Sequence, residues 1–384
     1  TKILSLARPA IVENVQLVQA AGRVLITPVV AMRDQPPFAA SAMDGYAVQS
    51  KQAHPGAVFK VIGESAAGHG YSGSVGPGDA VRIFTGAPVP AGADRIVIQE
   101  DVTRTDDLIT LSEDLDTKAY IRKAGADFRI GDRIDAPRRL GPTDLALMAA
   151  MNVAQVPVAR RPVVALIATG DELVMPGEAP SADQIIASNT FGLHAMFAAA
   201  GAEVRILPIA RDTAASLQVA FTLASDADLI VTIGGASVGD HDLVAPVAQA
   251  FGMERAFYRV AMRPGKPLMA GRIGASAMVG LPGNPVSSMV CGAIFVVPLI
   301  HAMLGLEAKA LARHKRPLRA PLAANGPREH YMRAMLSTDG IAALDRQDSA
   351  LLSVLAQADA LLIRPPNDGA REIGDIVEYI PLPS

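Results

Sequence analysis

The chain has 384 residues, half of them apolar, with 35 Lys and Arg against 38 Asp and Glu. This composition excludes general disorder and a strongly basic nucleic-acid surface, and it supplies cores for about two to four domains. Cys291 is the only cysteine, so no internal disulfide and no zinc site built from cysteines can form. The first residues lack the apolar run of a signal peptide. We therefore expect a protein of the reducing cytoplasm that binds neither nucleic acid nor a membrane.

The first 160 residues combine helical and strand-like patterns. The spacing of apolar residues predicts a helix over residues 3–25. The residues at helical spacing are Ile11, Val15, Val18 and Leu25. Short apolar runs between glycines, prolines and aspartates predict a β-rich insertion at about 27–137, and a helical pattern returns at 144–151. The N-terminal region, 1–160, is thus interpreted as a helical element (1–26 and 138–160) with a β-rich insertion.

Strand and helix patterns alternate from residue 161 onward. Strands are predicted at 162–168, 204–210, 229–233 and 277–281, and helices at 190–200, 213–223 and 243–250. This alternation predicts a doubly wound, mostly parallel α/β domain over 161–308. Residues 317–384 predict a small C-terminal β-rich domain with one helix around 349–358. The expected fold class is therefore α/β plus β-rich domains.

An apolar helix is predicted at 286–304, and it is long enough to span a bilayer. Polar or helix-bending residues interrupt it, namely Ser287, Ser288, Pro298 and His301. No second span of this kind occurs in the sequence. A helix buried between layers of the α/β domain is therefore favoured over a membrane span.

Four glycine-bearing loops follow predicted strands of the α/β domain. They are Thr169-Gly170-Asp171-Glu172, the run 234–242, Arg263-Pro264-Gly265-Lys266-Pro267 and Pro282-Gly283-Asn284-Pro285. Ligands of open parallel sheets bind beyond the carboxyl ends of the strands, and glycine lets backbone N–H groups approach an anion closely. The loops therefore predict an anion-binding site. Asn284 and Pro285 are also ordinary first residues of a helix, so a purely structural interpretation of that loop stays open.

The charges of these loops predict a phosphate-bearing substrate together with Mg²⁺. The basic residues are Arg263 and Lys266, and the acidic ones are Asp171, Glu172, Asp240 and Asp242. Carboxylates and a phosphate share a site when a hard divalent cation lies between them. Some acids can instead cap helices, as Asp212 would before the helix at 213–223. No P-loop, GxGxxG, HExxH or GxSxG motif occurs, and His241 is interpreted as a loop residue rather than a metal ligand.

Two motifs of the β-rich region complete a set that is specific to one family. Pro36-Pro37-Phe38 precedes Ser41-Ala42-Met43-Asp44-Gly45-Tyr46-Ala47, and Thr85-Gly86-Ala87-Pro88 precedes Pro90-Ala91-Gly92-Ala93-Asp94. With the TGDEL, GGASVGDHD, RPGKP and LPGNPVSS segments, the sequence resembles the MoeA family of molybdopterin molybdenumtransferases, to which the gephyrin E domain is related. The motifs extend over about 36–288 and the C-terminal part fits in length and pattern, so the resemblance covers nearly the whole chain.

The resemblance implies a reaction and an assembly. Adenylylated molybdopterin and molybdate would be converted to molybdenum cofactor, with release of AMP and in the presence of Mg²⁺. The central α/β domain would bind molybdopterin. The family also implies a homodimer whose active site combines the α/β domain of one subunit with the β-rich insertion of the other. Molybdopterin adenylyltransferase and proteins that mature molybdoenzymes are the expected partners.

The resemblance also assigns roles to individual residues. Family active-site positions match Asp44, Thr85, Asp127, Glu172 and Asp242. Substrate-binding positions match Thr169, Gly170, Asp171, Ser188, Asn189, Gly234, Gly235, Ser237, Asp240, Pro282, Gly283 and Asn284. The molybdate pocket matches Arg263, Lys266, Arg333 and Ser349, whose cations and hydroxyl suit a tetrahedral dianion. Asp171, Glu172 and Asp242 are the expected Mg²⁺ ligands, although the carboxylates can equally position a water for attack at phosphorus.

Two departures from the family pattern, and one alternative residue, concern the molybdate pocket. Arg263 stands where the family usually has Lys, which keeps the charge but replaces a point charge by a planar fork. Asp348 precedes Ser349 where the family usually has glycine, which places an extra carboxylate beside an oxyanion pocket. Arg328 is an alternative to Arg333 as the arginine of this pocket.

Two other functions compete with molybdenum insertion. A molybdopterin adenylyltransferase shares the α/β domain but needs neither the insertion with Asp44 and Thr85 nor the C-terminal domain. A non-catalytic molybdopterin-binding or scaffold protein would not need Glu172 or Lys266. These charged residues therefore favour the insertase.

Overall fold

The structure, a computed structural model, describes residues 2–235, 243–258, 260–307 and 309–382. The chain forms two compact units. One unit is Asn14–Val158, and the other comprises Thr1–Glu13 and Ala159–Ser384. Each unit has its own sheets and its own apolar cores.

The Asn14–Val158 unit is built from short strands. The strands β1 to β14 are Val12–Gln16, Val24–Leu25, Val29–Val30, Ala40–Ser41, Gly45–Val48, Val58–Ser65, Asp79–Ile83, Arg95–Ile98, Val102–Thr105, Leu108–Leu111, Ile121–Arg122, Arg133–Ile134, Arg138–Arg139 and Gln155–Ala159. The helix α1 is Pro142–Ala150. These elements confirm the β-rich pattern predicted for 27–137 and the helix predicted near 144–151.

Two sheets hold the cores of this unit. The larger one has the strand order β8-β5-β7-β6-β10-β9, and its core includes Tyr46, Phe59 and Ile109. The other has the order β1-β14-β2-β13 and packs with α1 around Leu25 and Met148. The edge of β5 and β7 carries the two motifs of the insertion, because Asp44 immediately precedes β5 and Thr85 follows β7.

The helix predicted over 3–25 is wrong. The structure instead has a 3-10 turn at Leu4–Leu6, the strand β1, a 3-10 turn at Leu17–Gln19 and the strand β2. Ile11 and Val18 are 57% and 83% exposed, so the residues at helical spacing do not form one buried face. Pro9 and the β-branched residues disfavour a helix, and pairing of β1 with β14 satisfies the backbone as a strand.

The second unit contains the α/β pattern. Its strands β15 to β28 are Val163–Ala168, Leu173–Val174, Ile185–Ile186, Glu203–Ile206, Leu229–Ile233, Met253–Tyr258, Met262–Arg263, Met269–Ile273, Ser276–Leu281, His314–Pro317, Glu329–Ser337, Gly340–Ala343, Ala360–Arg364 and Ile376–Pro381. Its helices α2 to α7 are Asn189–Ala200, Ala214–Leu223, Val244–Ala250, Pro285–Cys291, Val297–Met303 and Leu352–Leu355, and a π-helical segment, Gly292–Val296, joins α5 to α6. The helix predicted around 349–358 is therefore reduced to the four residues of α7.

A six-stranded sheet has the order β18-β15-β19-β23-β22-β20. The first four strands are parallel, and β22 runs antiparallel to both of its neighbours, β23 and β20. On one face, α3 and α4 contribute Phe221 and Val247 to the core. The strand β15 is almost entirely buried, as expected for a strand covered on both faces. The predicted fold class, α/β with β-rich parts, is confirmed.

The apolar helical stretch Pro285–Met303 packs against α2. By length and composition it could cross a membrane, but 67% of its most apolar window is buried inside the protein. This burial is typical of a core helix and agrees with the favoured interpretation of the sequence.

A second sheet of this unit has the order β21-β25-β27-β28-β24, with β26 paired to β25. Its core includes Leu362, Ile341 and Tyr379. The edge strand β21 comes from the segment predicted for the α/β domain and pairs in parallel with β25, which places Arg263 beside His330. The RPGKP loop is therefore anchored on the C-terminal sheet.

Candidate active site

A cavity of about 840 Å³ lies at the carboxyl ends of β15, β19 and β23. The predicted site residues that line it are Thr169, Gly170, Glu172, Ser188, Asn189, Gly234, Gly235, Pro282, Gly283 and Asn284. Pro267 and Ala350, which are neighbours of the predicted Lys266 and Ser349, line it as well. The structure thus brings together the glycine loops that the sequence placed at one sheet edge.

The first two loops approach each other through their backbones. Gly234 has a φ of +97°, and a Cβ atom there would lie 2.8 Å from the carbonyl oxygen of Thr169. The Thr169 N–H in turn donates to the carbonyl oxygen of Ile233 at 3.0 Å. Only glycine fits this approach, and it leaves the backbone at the cavity uncovered by side chains. Such a surface suits an anionic group.

Asp212 lines the cavity, which the sequence interpretation missed. Its interpretation as a helix cap is wrong, because α3 is capped by Thr213, whose hydroxyl oxygen accepts from the Ser216 N–H at 3.2 Å. Asp171 does not line the cavity, and its carboxylate accepts the Asp212 N–H at 3.1 Å. The available signal was the position of Asp212 in the loop after β18, at the same edge as Glu172.

The start of α5 connects the cavity to the C-terminal sheet. Asn284 occupies the N-cap position of α5, but its side chain does not cap the helix. Its amide donates to the Ser349 hydroxyl at 3.2 Å, and the Val286 N–H donates to the Ser349 carbonyl oxygen at 3.0 Å. Across the cavity mouth, the Asn189 amide donates to the Gly283 carbonyl oxygen at 2.7 Å.

An apolar wall was not predicted. The short parallel pair β16 and β17 places Leu173, Ile185 and Ile186 along the cavity, with Ile185 59% exposed. Exposed isoleucines beside polar loops are suited to a planar apolar ring of a ligand. The only signal in the sequence was an Ile-Ile pair inside an otherwise polar loop.

The predicted molybdate arginine, Arg333, is fully buried. Its Nη2 donates to the carbonyl oxygens of Arg346 at 3.0 Å and Asp348 at 3.1 Å, whereas its Nε and Nη1 are buried without a hydrogen-bond partner. Burial lowers the pKa of Arg333, the charge of Asp348 acts in the opposite direction, and the charge of Arg263 lowers the pKa further. Unpaired guanidinium donors in a buried position are suited to a bound oxyanion.

Burial distinguishes Arg333 from Arg328, the two arginines that the sequence left open for the molybdate pocket. Arg328 is exposed, so burial and unpaired donors favour Arg333 as the pocket arginine. Lys266 is also exposed. The Asp348 carboxylate accepts the Ala350 N–H at 2.8 Å, which gives that carboxylate a local structural role.

His330, missed in the sequence, is 7% exposed with an unpartnered Nε2, and its burial and the surrounding arginines lower its pKa to about 4.

In the other unit, Asp44 and Thr85 meet. One carboxylate oxygen of Asp44 accepts both the backbone N–H and the hydroxyl of Thr85, each at 2.7 Å. These two hydrogen bonds lower the pKa of Asp44, so the carboxylate is ionised at neutral pH. Arg82 lies over the rings of Tyr46 and Phe84 beside this pair. Asp127 is exposed, and its backbone N–H donates to the Gln35 carbonyl oxygen at 2.9 Å.

Three predicted residues, Ser237, Asp240 and Asp242, lie outside the described residues, as does His241. Within the described part of the chain, no three His, Cys, Asp or Glu side chains are placed to hold a metal ion. Mg²⁺, however, usually takes one or two carboxylates together with substrate phosphates. Glu172 and Asp212 both line the cavity and fit that chemistry.

Three family models match consecutive parts of the chain. They describe the MoeA N-terminal region (domains I and II) over residues 1–152, a probable molybdopterin binding domain over 165–302, and the MoeA C-terminal region (domain IV) over 315–382. A molybdopterin molybdenumtransferase of Nostoc sp. is 34% identical over 388 residues, which cover 97% of this chain and 89% of that protein. One of Haemophilus influenzae is 36% identical over 300 residues, which cover 77% and 74%. The solved structure of a molybdopterin biosynthesis MoeA protein from Pyrococcus horikosii matches with a TM-score of 0.87 and 29% identity, covering 100% of this chain and 97% of its own.

Proposed function

The chain belongs to the MoeA family of molybdopterin molybdenumtransferases, and from that membership we propose that it inserts molybdenum from molybdate into adenylylated molybdopterin and releases AMP. It is thus a transferase of molybdenum cofactor biosynthesis. Adenylylation of the substrate, AMP release and dependence on Mg²⁺ are parts of the proposal.

One observation carries the proposal, namely that a single segment, 348–350, contacts both the glycine-loop cavity and the buried Arg333. Ser349 holds the start of α5 at the cavity, and the carbonyl group of the preceding Asp348 holds Arg333. A ligand that fills the cavity would therefore contact the segment that holds Arg333, whose free donors suit an oxyanion. A reaction that joins molybdate to a phosphate-bearing pterin needs these two sites side by side.

We assign roles to the residues as follows. The backbone at Gly234 and Gly235 and the amide of Asn189 bind the phosphate side of the substrate, and the apolar wall covers its ring. Glu172 accepts a proton from the water that attacks the phosphorus, while Asp212 orients that water or holds the cation. Arg333, with Arg263 nearby, binds molybdate through charge-assisted hydrogen bonds.

Asp212 and the substrate's phosphate oxygens would hold Mg²⁺, which would supply positive charge beside the phosphoanhydride bond that breaks. The Asp44 carboxylate, whose pKa the Thr85 hydrogen bonds lower, supplies a further acidic group. We propose, as the family implies, that it completes the site of a second subunit in a homodimer. A molybdopterin adenylyltransferase is the kind of partner that would supply the substrate.

The test is AMP release from adenylylated molybdopterin with Mg²⁺, measured with and without molybdate. The wild type should release AMP in response to molybdate, and Glu172→Gln should lose this by a factor of about 10² or more, because a group that moves a proton in the reaction is removed. Glu203→Gln is the matched control, since Glu203 is the first residue of β18, is exposed, and lies at the amino ends of the parallel strands, away from the cavity.

Loss in Glu172→Gln with activity kept in Glu203→Gln would support the proposal. A wild type that binds the substrate tightly but releases no AMP would contradict it and indicate a non-catalytic carrier. Synthesis of the adenylylated substrate from molybdopterin and ATP would instead identify an adenylyltransferase.

A further inference from the structure

The loop that carries Glu172 has a demanding conformation. Gly170 has a φ of +146°, and a Cβ atom there would lie within 2.3 Å of Glu172 Oε2. The Glu172 carboxylate is therefore folded back over Gly170 and lines the cavity. A loop of this kind needs groups that fix its carbonyl oxygens, because its own backbone forms no regular helix or strand at 169–172.

Arg211 supplies that fixation. Its Nη1 donates to the carbonyl oxygens of Asp171 and Leu173, both at 3.0 Å, and lies 3.4 Å from that of Gly170. These carbonyl groups flank Glu172 on both sides. One guanidinium nitrogen thus holds the backbone on both sides of Glu172, whose side chain lines the cavity.

A second contact joins the two loops. The Asp212 N–H donates to the Asp171 carboxylate at 3.1 Å, and the Gly170 N–H donates to the Ala210 carbonyl oxygen at 3.1 Å. The loop after β18 and the loop after β15 therefore form one interlocked pair. The pair places the carboxylates of Glu172 and Asp212 on the same cavity.

We propose that Arg211 is a positioning residue, which fixes the loop at 169–173 and thereby sets the place of the Glu172 and Asp212 carboxylates for reaction. Arg211 does not line the cavity, so it is not placed to contact a substrate there. The proposal rests on the proposed function for its kinetic consequence, but its structural consequence can be measured without turnover.

The test compares Arg211→Met, Arg211→Lys and a matched control, Arg205→Met. Arg205 lies on β18, close in sequence, and pairs with Asp226 away from the cavity. In Arg211→Met we expect kcat for AMP release to fall by about 10²-fold, because displacement of a reacting group by about 1 Å has an effect of that size. The KM for adenylylated molybdopterin should change by less than about 3-fold. Arg211→Lys should recover part of kcat, since an ammonium group also donates to carbonyl oxygens.

Hydrogen exchange provides the readout that does not depend on activity. The Ile185 N–H donates to the Glu172 carbonyl oxygen at 2.7 Å, so its exchange reports on the loop together with that of Asp212. Exchange at both amides should accelerate in Arg211→Met and stay at the wild-type rate in Arg205→Met, even if the two variants lose similar thermal stability.

Unchanged exchange in Arg211→Met would overturn the proposal, as would a raised KM with kcat retained, because the latter would indicate substrate binding by Arg211. If the wild type released no AMP, the proposed function would fail, whereas accelerated exchange confined to Arg211→Met would still support fixation of the loop by Arg211.

Discussion

The side-chain amide of Asn284 donates a 3.2 Å hydrogen bond to the hydroxyl oxygen of Ser349, 65 residues further along the chain. Asn284 precedes the helix that borders the cavity, and Ser349 belongs to the segment that holds Arg333. The bond therefore couples the cavity of the α/β sheet to the pocket on the C-terminal sheet.

Replacing Arg333 with methionine should weaken molybdate binding by about 10- to 100-fold, because charge-assisted hydrogen bonds contribute about 1.5–3 kcal/mol. The unpartnered Nε and Nη1 are the donors that this change removes. The measurement is the molybdate dependence of AMP release together with direct molybdate binding. Arg328→Met, at an exposed position, should leave both unchanged. Equal effects of the two changes would refute the assignment of the pocket to Arg333.

Replacing Thr85 with valine should raise the pKa of Asp44, because one of the two hydrogen bonds that stabilise its carboxylate is lost. If the ionised carboxylate acts in the reaction, the acid limb of the kcat/KM profile moves to higher pH. A carbon-13 NMR titration of the Asp44 carboxyl group measures the pKa directly. Thr110→Val, an exposed change in the same sheet, is the control. An Asp44 pKa that stayed in place would contradict the expectation.

His330 should make folding less stable as the pH falls from about 6.5 towards 4. Its folded pKa of about 4 lies below the ordinary value of 6.5, mainly because of burial and also because arginines surround it. Within this window the unfolded chain binds the additional proton, so stability decreases with falling pH and is fully retained above 6.5.

The free energy of unfolding, measured by denaturation between pH 4.5 and 7, should therefore depend less on pH in His330→Gln, by at most about 3 kcal/mol. His314→Gln, at an exposed histidine of the same sheet, should keep the wild-type dependence. A pH dependence that survives unaltered in His330→Gln would assign it to other groups.

A shared active site predicts complementation between inactive subunits. Asp44→Asn and Glu172→Gln should each be inactive alone. Subunits mixed at random in a homodimer should regain roughly a quarter of the wild-type activity, because half of the dimers are hybrids with one intact site each. The assay is AMP release after unfolding and refolding of the mixture. Mixing two separately refolded variants is the control, and no regain in co-refolded dimers would show that Asp44 and Glu172 act within one subunit.

Local pattern was sufficient for the long elements of the α/β sheet. The strands β15 and β19 and the helices α2 and α3 agree with the prediction to within a few residues, because apolar periodicity and burial coincide there. The same periodicity failed over 3–25. There, β1 pairs with β14, which lies about 140 residues away, and only this pairing decides between strand and helix.

The sequence was enough to predict which loops would meet at one cavity, since glycines, carboxylates and cations follow the strand ends and the carboxyl ends of parallel strands share an edge. Which side chains converge there depends on how distant segments pack. Asp212 enters the cavity while Asp171 does not, and Arg333 is buried while Arg328 is exposed. The physical reason is that charge and glycine content are local properties of the chain, whereas burial and hydrogen-bond partners depend on pairing between segments that are distant in sequence.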